Sequence, residues 1–545
     1  MTDIAQTTII IGGVAAGMSA ATRLRRLDEQ ANIIVLEQGE HVSFANCGLP
    51  YHVGGVIEER DALLLQTPEG LHKRFNLDVR TGTRVTAIQR DEQTVRVVTP
   101  GGASETLAYD NLVIATGATP FVPPLPGIER ALTLRNVSDM DKIVAKVAEQ
   151  PRHAVVLGGG FIGLEMAENL AHRGIDTTVV ELAQQILPPF DPEMAAYVQA
   201  HLEANGVKVI TGSGASSLTN THVLLTDGRP LDADLVVAGV GVRPDSNLAV
   251  QADLTVTDRG LIVVDDDLRT SDPHIFAAGD ATAKRDHVDD SLRFVTLAQR
   301  ANRDGRMIAD AIMGNSVPSN PVLGTAILGV FGLMAVATGW TETRARAEGR
   351  QIRVIHTHPG DHAGYYPGAA QMHLKLVIDA QTDAILGAQG VGTKGVDTRI
   401  DVIATAIRGG LRASELIDIE LAYAPAFGSA KDAVNMLGYI ADNLAAGMTT
   451  SIQWHELEAA MAEGSVLVDV RDPEEFTSGS IPGAINVPLN TLRERHQELP
   501  DSVIVHCQVG QRGHTAARLL TQLGHQVVNL DGGYLTWKIA TAAKE

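Results

Sequence analysis

The sequence predicts an α/β protein of several domains, and three observations carry that expectation. Two stretches run in the order strand, glycine turn, helix, strand. The region from about 326 to 445 mixes alternating strands such as "MHLKLVIDAQTDAILGAQGVG" with the helical "GVDTRIDVIATAIRGG". The last hundred residues again place short apolar strands between helical segments. At 545 residues and 44% hydrophobic the chain exceeds one core, and at about 100–200 residues per domain it should divide into three or four.

The cleaner glycine turn lies in "HAVVLGGGFIGLEMAENLAHRGIDTTVVE". Gly158, Gly160 and Gly163 have G-x-G-x-x-G spacing between a strand and a helix, and Glu181 ends the following strand, 18 residues after Gly163. The glycines let backbone approach a pyrophosphate, the helix end offers unpaired N–H groups, and the acid accepts hydrogen bonds from a ribose. The first turn, in "TTIIIGGVAAGMSAATRLRRLDEQANIIVLEQ", has Gly12, Gly13 and Gly17 with Val14 at the middle glycine position, Ala15 and Ala16 after it, and Glu37 ending the second strand. Two further strands enter small-residue turns: "NLVIATGATP", with Ala115, Thr116 and Gly117, and "HIFAAGDATA", with Gly279 and Asp280.

The formal charge of −21 argues against a general nucleic-acid binder. Three local basic clusters stand out against it: Arg23, Arg25 and Arg26; Lys73 and Arg74; Arg300, Arg303 and Arg306. Such clusters suit an anionic ligand. The opening residues run straight into a strand without a signal-peptide pattern, and no apolar run reaches the ~18 residues of a spanning helix. A cytoplasmic protein is expected. No metal site is expected.

Only two cysteines occur, Cys47 in "SFANCGLPYHVGG" and Cys507 in "VIVHCQVGQRGHTAARLL". They form no disulfide framework, so each is a candidate reactive thiol. A helix starting at Gly-Leu-Pro would favour a Cys47 thiolate through its dipole. A strand delivers Cys507 into the loop from Gln508 to Arg512, with a helix expected from about His514; backbone N–H groups and Arg512 there suit a thiolate or persulfide.

The order of glycine turn, "ATGATP", second glycine turn, "GVGVRP" and "AAGDA" resembles the two-dinucleotide-binding flavoprotein disulfide reductases over residues 1 to about 325. The resemblance implies FAD on the first turn, with Asp280 contacting it, and NADH on the second, NADPH being the other candidate. Cys47 lacks the partner thiol of the two-cysteine branch. It is similar instead to the single-cysteine branch, which contains coenzyme A disulfide reductases, persulfide reductases, and NADH oxidases and peroxidases. Arg26, Ser43, Asn46, Lys73 and Arg306 are the positions the resemblance assigns to coenzyme A.

In that family the α+β region is a dimerisation domain that sends a tyrosine to the partner's active cysteine. Tyr365, Tyr366 and Tyr423 are the candidates, the first two not being separable by sequence. The C-terminal unit resembles a rhodanese domain, with Gly513 where many members have serine. The expected domains are 1–120 with 251–325 for FAD, 121–250 for NAD(P)H, 326–445 for dimerisation, a linker at 446–451 and the rhodanese domain at 452–545. The fold class is therefore α/β: two Rossmann-like domains, an α+β domain and a rhodanese α/β domain. The fusion implies NAD(P)H-dependent reduction of persulfide, polysulfide or coenzyme A disulfide through Cys47, with sulfur transfer at Cys507. The alternatives are an oxidase or peroxidase cycling through a cysteine sulfenate, and a sulfur-carrier or redox-sensing protein.

Overall fold

The computed structural model describes residues 6–315 and 321–542. The chain gathers into two compact units, residues 1–184 with 206–324, and residues 185–205 with 325–545.

The first unit holds two parallel sheets. One has the strand order 275–277, 111–114, 7–11, 32–36, 78–80, and the other the order 208–210, 176–180, 153–157, 235–238. Strands covered on both faces need continuous apolar runs, and Ile9, Ile10, Val113, Val155 and Val156 are at most 1% exposed. An antiparallel three-stranded sheet, 84–89, 94–98 and 104–108, lies beside the first. Segments 118–120 and 242–244 pair antiparallel where the chain leaves and re-enters between the two parallel sheets. Helices Ala15–Leu27 and Ala298–Ile312 cross in backbone contact, because a Cβ on Gly305 would stand 2.1 Å from Ala16 O.

The second unit holds an antiparallel sheet of order 326–330, 333–339, 385–392, 372–379, 352–357. Helix Val396–Gly409 packs on it, and Pro192–Ala204 belongs to the same unit. Lys375 is fully buried there, 3.0 Å from Asp191 and 2.8 Å from Glu342, with Glu193 as third carboxylate partner. That lysine occupies the centre of the acidic trio Asp191, Glu193 and Glu342. The remaining sheet is parallel, of order 451–452, 526–530, 502–506, 466–469, 485–486. The α/β class with Rossmann-like, α+β and C-terminal α/β parts is thus present.

Candidate active sites

The two glycine turns superimpose in their chemistry. Gly158 has φ +103°, and a Cβ there would meet Gly239 O at 2.4 Å; a Cβ on Gly163 would meet Gly158 O at 2.0 Å. These two glycines are demanded by the protein's own backbone. Gly160 is different, since a Cβ there would meet nothing within 4 Å. The open space beside it suits a pyrophosphate approaching the N-terminus of helix Phe161–His172. Glu181 accepts from Gly159 N at 2.7 Å and Ala183 N at 2.8 Å, as Glu37 accepts from Gly13 N at 2.8 Å and Gly39 N at 2.7 Å.

A cavity of about 490 Å³ opens over the first turn, lined by Gly12, Gly13, Ala15, Ala16, Glu37, Asn46, Ala115, Thr116, Gly117, Gly279 and Asp280 among others. Gly17 lies under the turn instead, where a Cβ would be 1.9 Å from Gly12 O. An acid for a ribose and a backbone cradle fit an adenine dinucleotide such as FAD. Burial pushes the Asp280 carboxyl up to about 6, with Lys284 opposing.

Cys47 is exposed in the turn Asn46–Gly48, ahead of the six-residue helix Leu49–Gly54. The helix end is opposed by other groups around the thiol. Its pKa is raised, first by desolvation and then by the carboxylates of Glu165 and Asp280. Helix Leu49–Gly54 packs on helix Phe161–His172: a Cβ on Gly54 would be 2.0 Å from Asn169 Oδ1, and Arg173 Nε donates to Val53 O at 2.9 Å. Glu165, on that second helix, titrates near 7 because of burial and the neighbouring Glu168. Sequence reasoning missed Glu165; its place two residues after Gly163 was visible, but its influence on Cys47 depends on how the two helices pack.

The basic clusters separate by exposure. Arg25 is buried, donating to the carbonyls of Phe75, Asp28, Glu29 and Asn76, and Arg23 pairs with Asp310 at 2.7 Å. Arg300 is buried and pairs with Asp304 at 2.6 Å. Arg26, Lys73 and Arg306 are exposed. Ser43 takes a left-handed φ of 49° and its amide donates to Gly13 O at 2.8 Å, while Asn46 is exposed at the cavity.

In the second unit the hydroxyls of Tyr365 and Tyr423 lie 3.1 Å apart, both exposed. Tyr366 instead sets its ring edge-on to His362, centroids 5.7 Å apart. Cys507 is fully buried at the end of strand 502–506, and its Sγ receives the Gly510 amide at 3.2 Å. Arg512 turns to Glu475 with two hydrogen bonds of 2.6 and 2.7 Å. The helix after the loop begins at Gln511, three residues earlier than expected.

Residues 6–305 match the pyridine nucleotide-disulphide oxidoreductases. The chain belongs to that family. The family's dimerisation domain matches residues 326–453, and a rhodanese-like domain matches 453–540. A coenzyme A disulfide reductase of Staphylococcus haemolyticus is 33% identical over 80% of this chain and 99% of its own. Reduced Bacillus anthracis CoADR-RHD superposes with TM-score 0.97 at 44% identity over 99% of both chains. An NAD-dependent persulfide reductase from A. fulgidus superposes at 0.92 with 37% identity, covering 97% of this chain and 100% of its own. Among the described residues of this pyridine nucleotide-disulphide oxidoreductase, no helix is long and apolar enough to cross a membrane.

Proposed function

We propose that the chain is an FAD-dependent reductase of persulfides, polysulfides and coenzyme A disulfide that draws electrons from NADH, uses Cys47 as its only redox thiol, and transfers sulfur at Cys507. The observation that carries this reading is the pairing of a solitary exposed Cys47 in the flavoprotein unit with a second solitary thiol, Cys507, whose Sγ accepts a loop amide. FAD, when bound, relays two electrons from the nicotinamide to sulfur. The protein supplies placement: Gly12, Gly13, Ala15, Ala16, Glu37, Ala115, Thr116, Gly117, Gly279 and Asp280 for FAD, and Gly158, Gly160, Gly163 and Glu181 for the nicotinamide nucleotide.

Cys47 thiolate attacks the inner sulfur of a coenzyme A persulfide, forming the Cys47–coenzyme A mixed disulfide and releasing HS⁻. Two electrons and one proton then return Cys47 thiolate and coenzyme A thiol. Coenzyme A disulfide reacts likewise, with a coenzyme A thiolate as the first leaving group. Arg26, Lys73 and Arg306 meet the phosphates, with Ser43 and Asn46 nearer the thiol. At Cys507 the thiolate takes the outer sulfur of a donor R–S–SH, giving the Cys507 persulfide and R–S⁻ without net oxidation. The working form is a cytoplasmic homodimer, in which the Tyr365–Tyr423 pair of one subunit orients and protonates the thiolate leaving Cys47 of the other.

Intact-mass measurement of the purified protein tests the reading. A reductant-labile adduct of coenzyme A size on Cys47, absent from Cys47→Ser, is expected. A single added oxygen on Cys47 would instead support the sulfenate chemistry of an oxidase or peroxidase. Cys47→Ser should lose NADH-dependent reduction of coenzyme A disulfide by about a thousandfold or more, while NADH still bleaches the flavin.

A further inference from the structure

Strand Ile352–Thr357 is an edge of the antiparallel sheet, and an edge strand presents unpaired backbone groups. Side chains of the rhodanese-like part take those groups. Asp531 Oδ2 accepts from the His356 amide at 2.8 Å and lies 2.7 Å from His356 Nδ1. Gln453 Nε2 donates to Val354 O at 3.1 Å. Just past the strand, His358 Nε2 lies 2.9 Å from Thr536 Oγ1.

His356 is 3% exposed, and its other nitrogen, Nε2, lies 3.0 Å from Glu193 Oε1. Both ring nitrogens face carboxylates, which accept but do not donate, so both carry protons. Burial alone would lower the pKa of His356; the hydrogen bonds to Asp531 and Glu193 outweigh it and hold it near 9.

The residues after Asp531 frame the Cys507 loop. Gly533, at φ +62°, passes so close that a Cβ would stand 2.4 Å from Cys507 O and 3.0 Å from Gly510 N. Tyr534 N donates to Cys507 O at 2.8 Å, and Leu535 N to Gln508 O at 3.0 Å. Gly510 is in turn the residue whose amide reaches Cys507 Sγ. An unbroken path of hydrogen bonds and close backbone therefore runs from an imidazole in the dimerisation sheet to the sulfur.

We propose that His356 is a positioning residue for sulfur transfer: by gripping Asp531 it fixes segment 531–535 and, through it, the loop that presents its amide to Cys507. The inference rests on the reading of Cys507 as a sulfur carrier. It makes the rhodanese chemistry of this fusion depend on a residue outside the rhodanese domain.

Two amide variants of the full-length holoenzyme test it. The backbone amide bond from residue 356 to Asp531 remains in both. Asparagine places its N–H₂ near the imidazole Nδ1 and keeps the side-chain bond to Asp531, whereas glutamine reaches the Nε2 position and keeps only the side-chain bond to Glu193. Both lose the cation. Sulfur transfer is read as thiocyanate formed from inorganic polysulfide and cyanide, in which the Cys507 persulfide gives its outer sulfur to cyanide and returns thiolate. His356→Gln should lower kcat about tenfold or more, while His356→Asn stays within about threefold. Iodoacetamide should label Cys507 faster in His356→Gln than in His356→Asn, and coenzyme A disulfide reduction should be equal in both. Equal sulfur-transfer losses and equal labelling, or no change in His356→Gln, would overturn the proposal. Faster labelling in a protein whose wild type forms no Cys507-dependent thiocyanate would leave the positioning intact and refute sulfur transfer. If neither His356 variant folds, Asp531→Asn against Asp531→Ala decides on the same readouts: the asparagine oxygen still accepts from His356, and equal impairment of the two would overturn the role.

Discussion

The Glu181 carboxylate accepts the Gly159 amide at 2.7 Å, and so the acid that should meet the nucleotide ribose also holds the glycine turn under the pyrophosphate. Its second oxygen takes the Ala183 amide at 2.8 Å.

Cofactor choice follows from that double duty. A 2′-phosphate brought to Glu181 would meet a carboxylate, so kcat/KM should favour NADH over NADPH by about tenfold or more. Glu181→Ala should lower turnover with both nucleotides, because the turn loses two anchors. It should also narrow the ratio, because NADH loses the acceptor for its ribose while NADPH is freed of the repelling carboxylate. Steady-state comparison of both nucleotides checks this, and comparable wild-type values would refute it.

The local motifs were readable in the sequence for a physical reason. Gly163 is fixed by crowding against Gly158 O within its own strand–turn–helix unit, and Cys507 is delivered by the strand that precedes it. Gly158 and Gly12 share the same spacing pattern, although the backbone that crowds them, Gly239 O and Ala115 O, comes from the ends of strands distant in sequence. What could not be read is long-range side-chain company. Nothing near Cys47 in sequence reveals Glu165, nor does anything near Arg23 and Arg25 reveal their partners Asp310 and Phe75 O; the Arg300–Asp304 pair, four residues apart on one helix, is local by contrast. His356 looks like one more polar residue in a strand until Asp531, 175 positions later, is placed beside it.

The raised Cys47 pKa gives a pH prediction. Desolvation and the carboxylates of Glu165 and Asp280 oppose the thiolate, with Glu165 itself titrating near 7. Removing a negative charge near a thiol lowers its pKa. Glu165→Gln should therefore shift the pH profile of Cys47 alkylation by iodoacetamide to lower pH. An unmoved profile would show that Glu165 does not act on the thiol.

The tyrosines divide by geometry. With Tyr365 and Tyr423 hydroxyls 3.1 Å apart, either Tyr365→Phe or Tyr423→Phe should slow coenzyme A disulfide reduction by up to about a hundredfold, the range of general acid catalysis. The double variant should be little worse than either single one, since the pair acts as a unit. Tyr366→Phe keeps its edge-on contact with His362 and should stay within about twofold. Equal effects at Tyr365 and Tyr366 would remove the distinction.

Cys507→Ser separates the two thiols. Flavin content and reduction of coenzyme A disulfide should be nearly intact, while NADH oxidation with polysulfide falls and its stimulation by free coenzyme A shrinks. Steady-state NADH oxidation with each substrate, with and without added coenzyme A, checks this. Equal loss on both substrates would mean that Cys507 supports the fold rather than a sulfur relay.

Gly513, where many rhodanese domains have serine, is explained by one neighbour. A Cβ there would lie 2.3 Å from Asn529 Oδ1, a buried oxygen without a hydrogen-bond partner, and 3.6 Å from Cys507 N. Serine cannot enter unless the asparagine moves, so Gly513→Ser should destabilise the protein by about 1–3 kcal/mol, the usual cost of overpacking. Asn529→Ala removes the obstructing oxygen and should make the same serine nearly neutral, a coupling measurable as a double-mutant cycle in denaturant unfolding of the rhodanese transition. Sulfur-transfer rates with thiosulfate and with polysulfide, taken on the Gly513→Ser, Asn529→Ala pair, then show whether a serine hydroxyl beside the loop changes donor preference. If Gly513→Ser costs the same with and without Asn529, the clash is not what keeps glycine at this position.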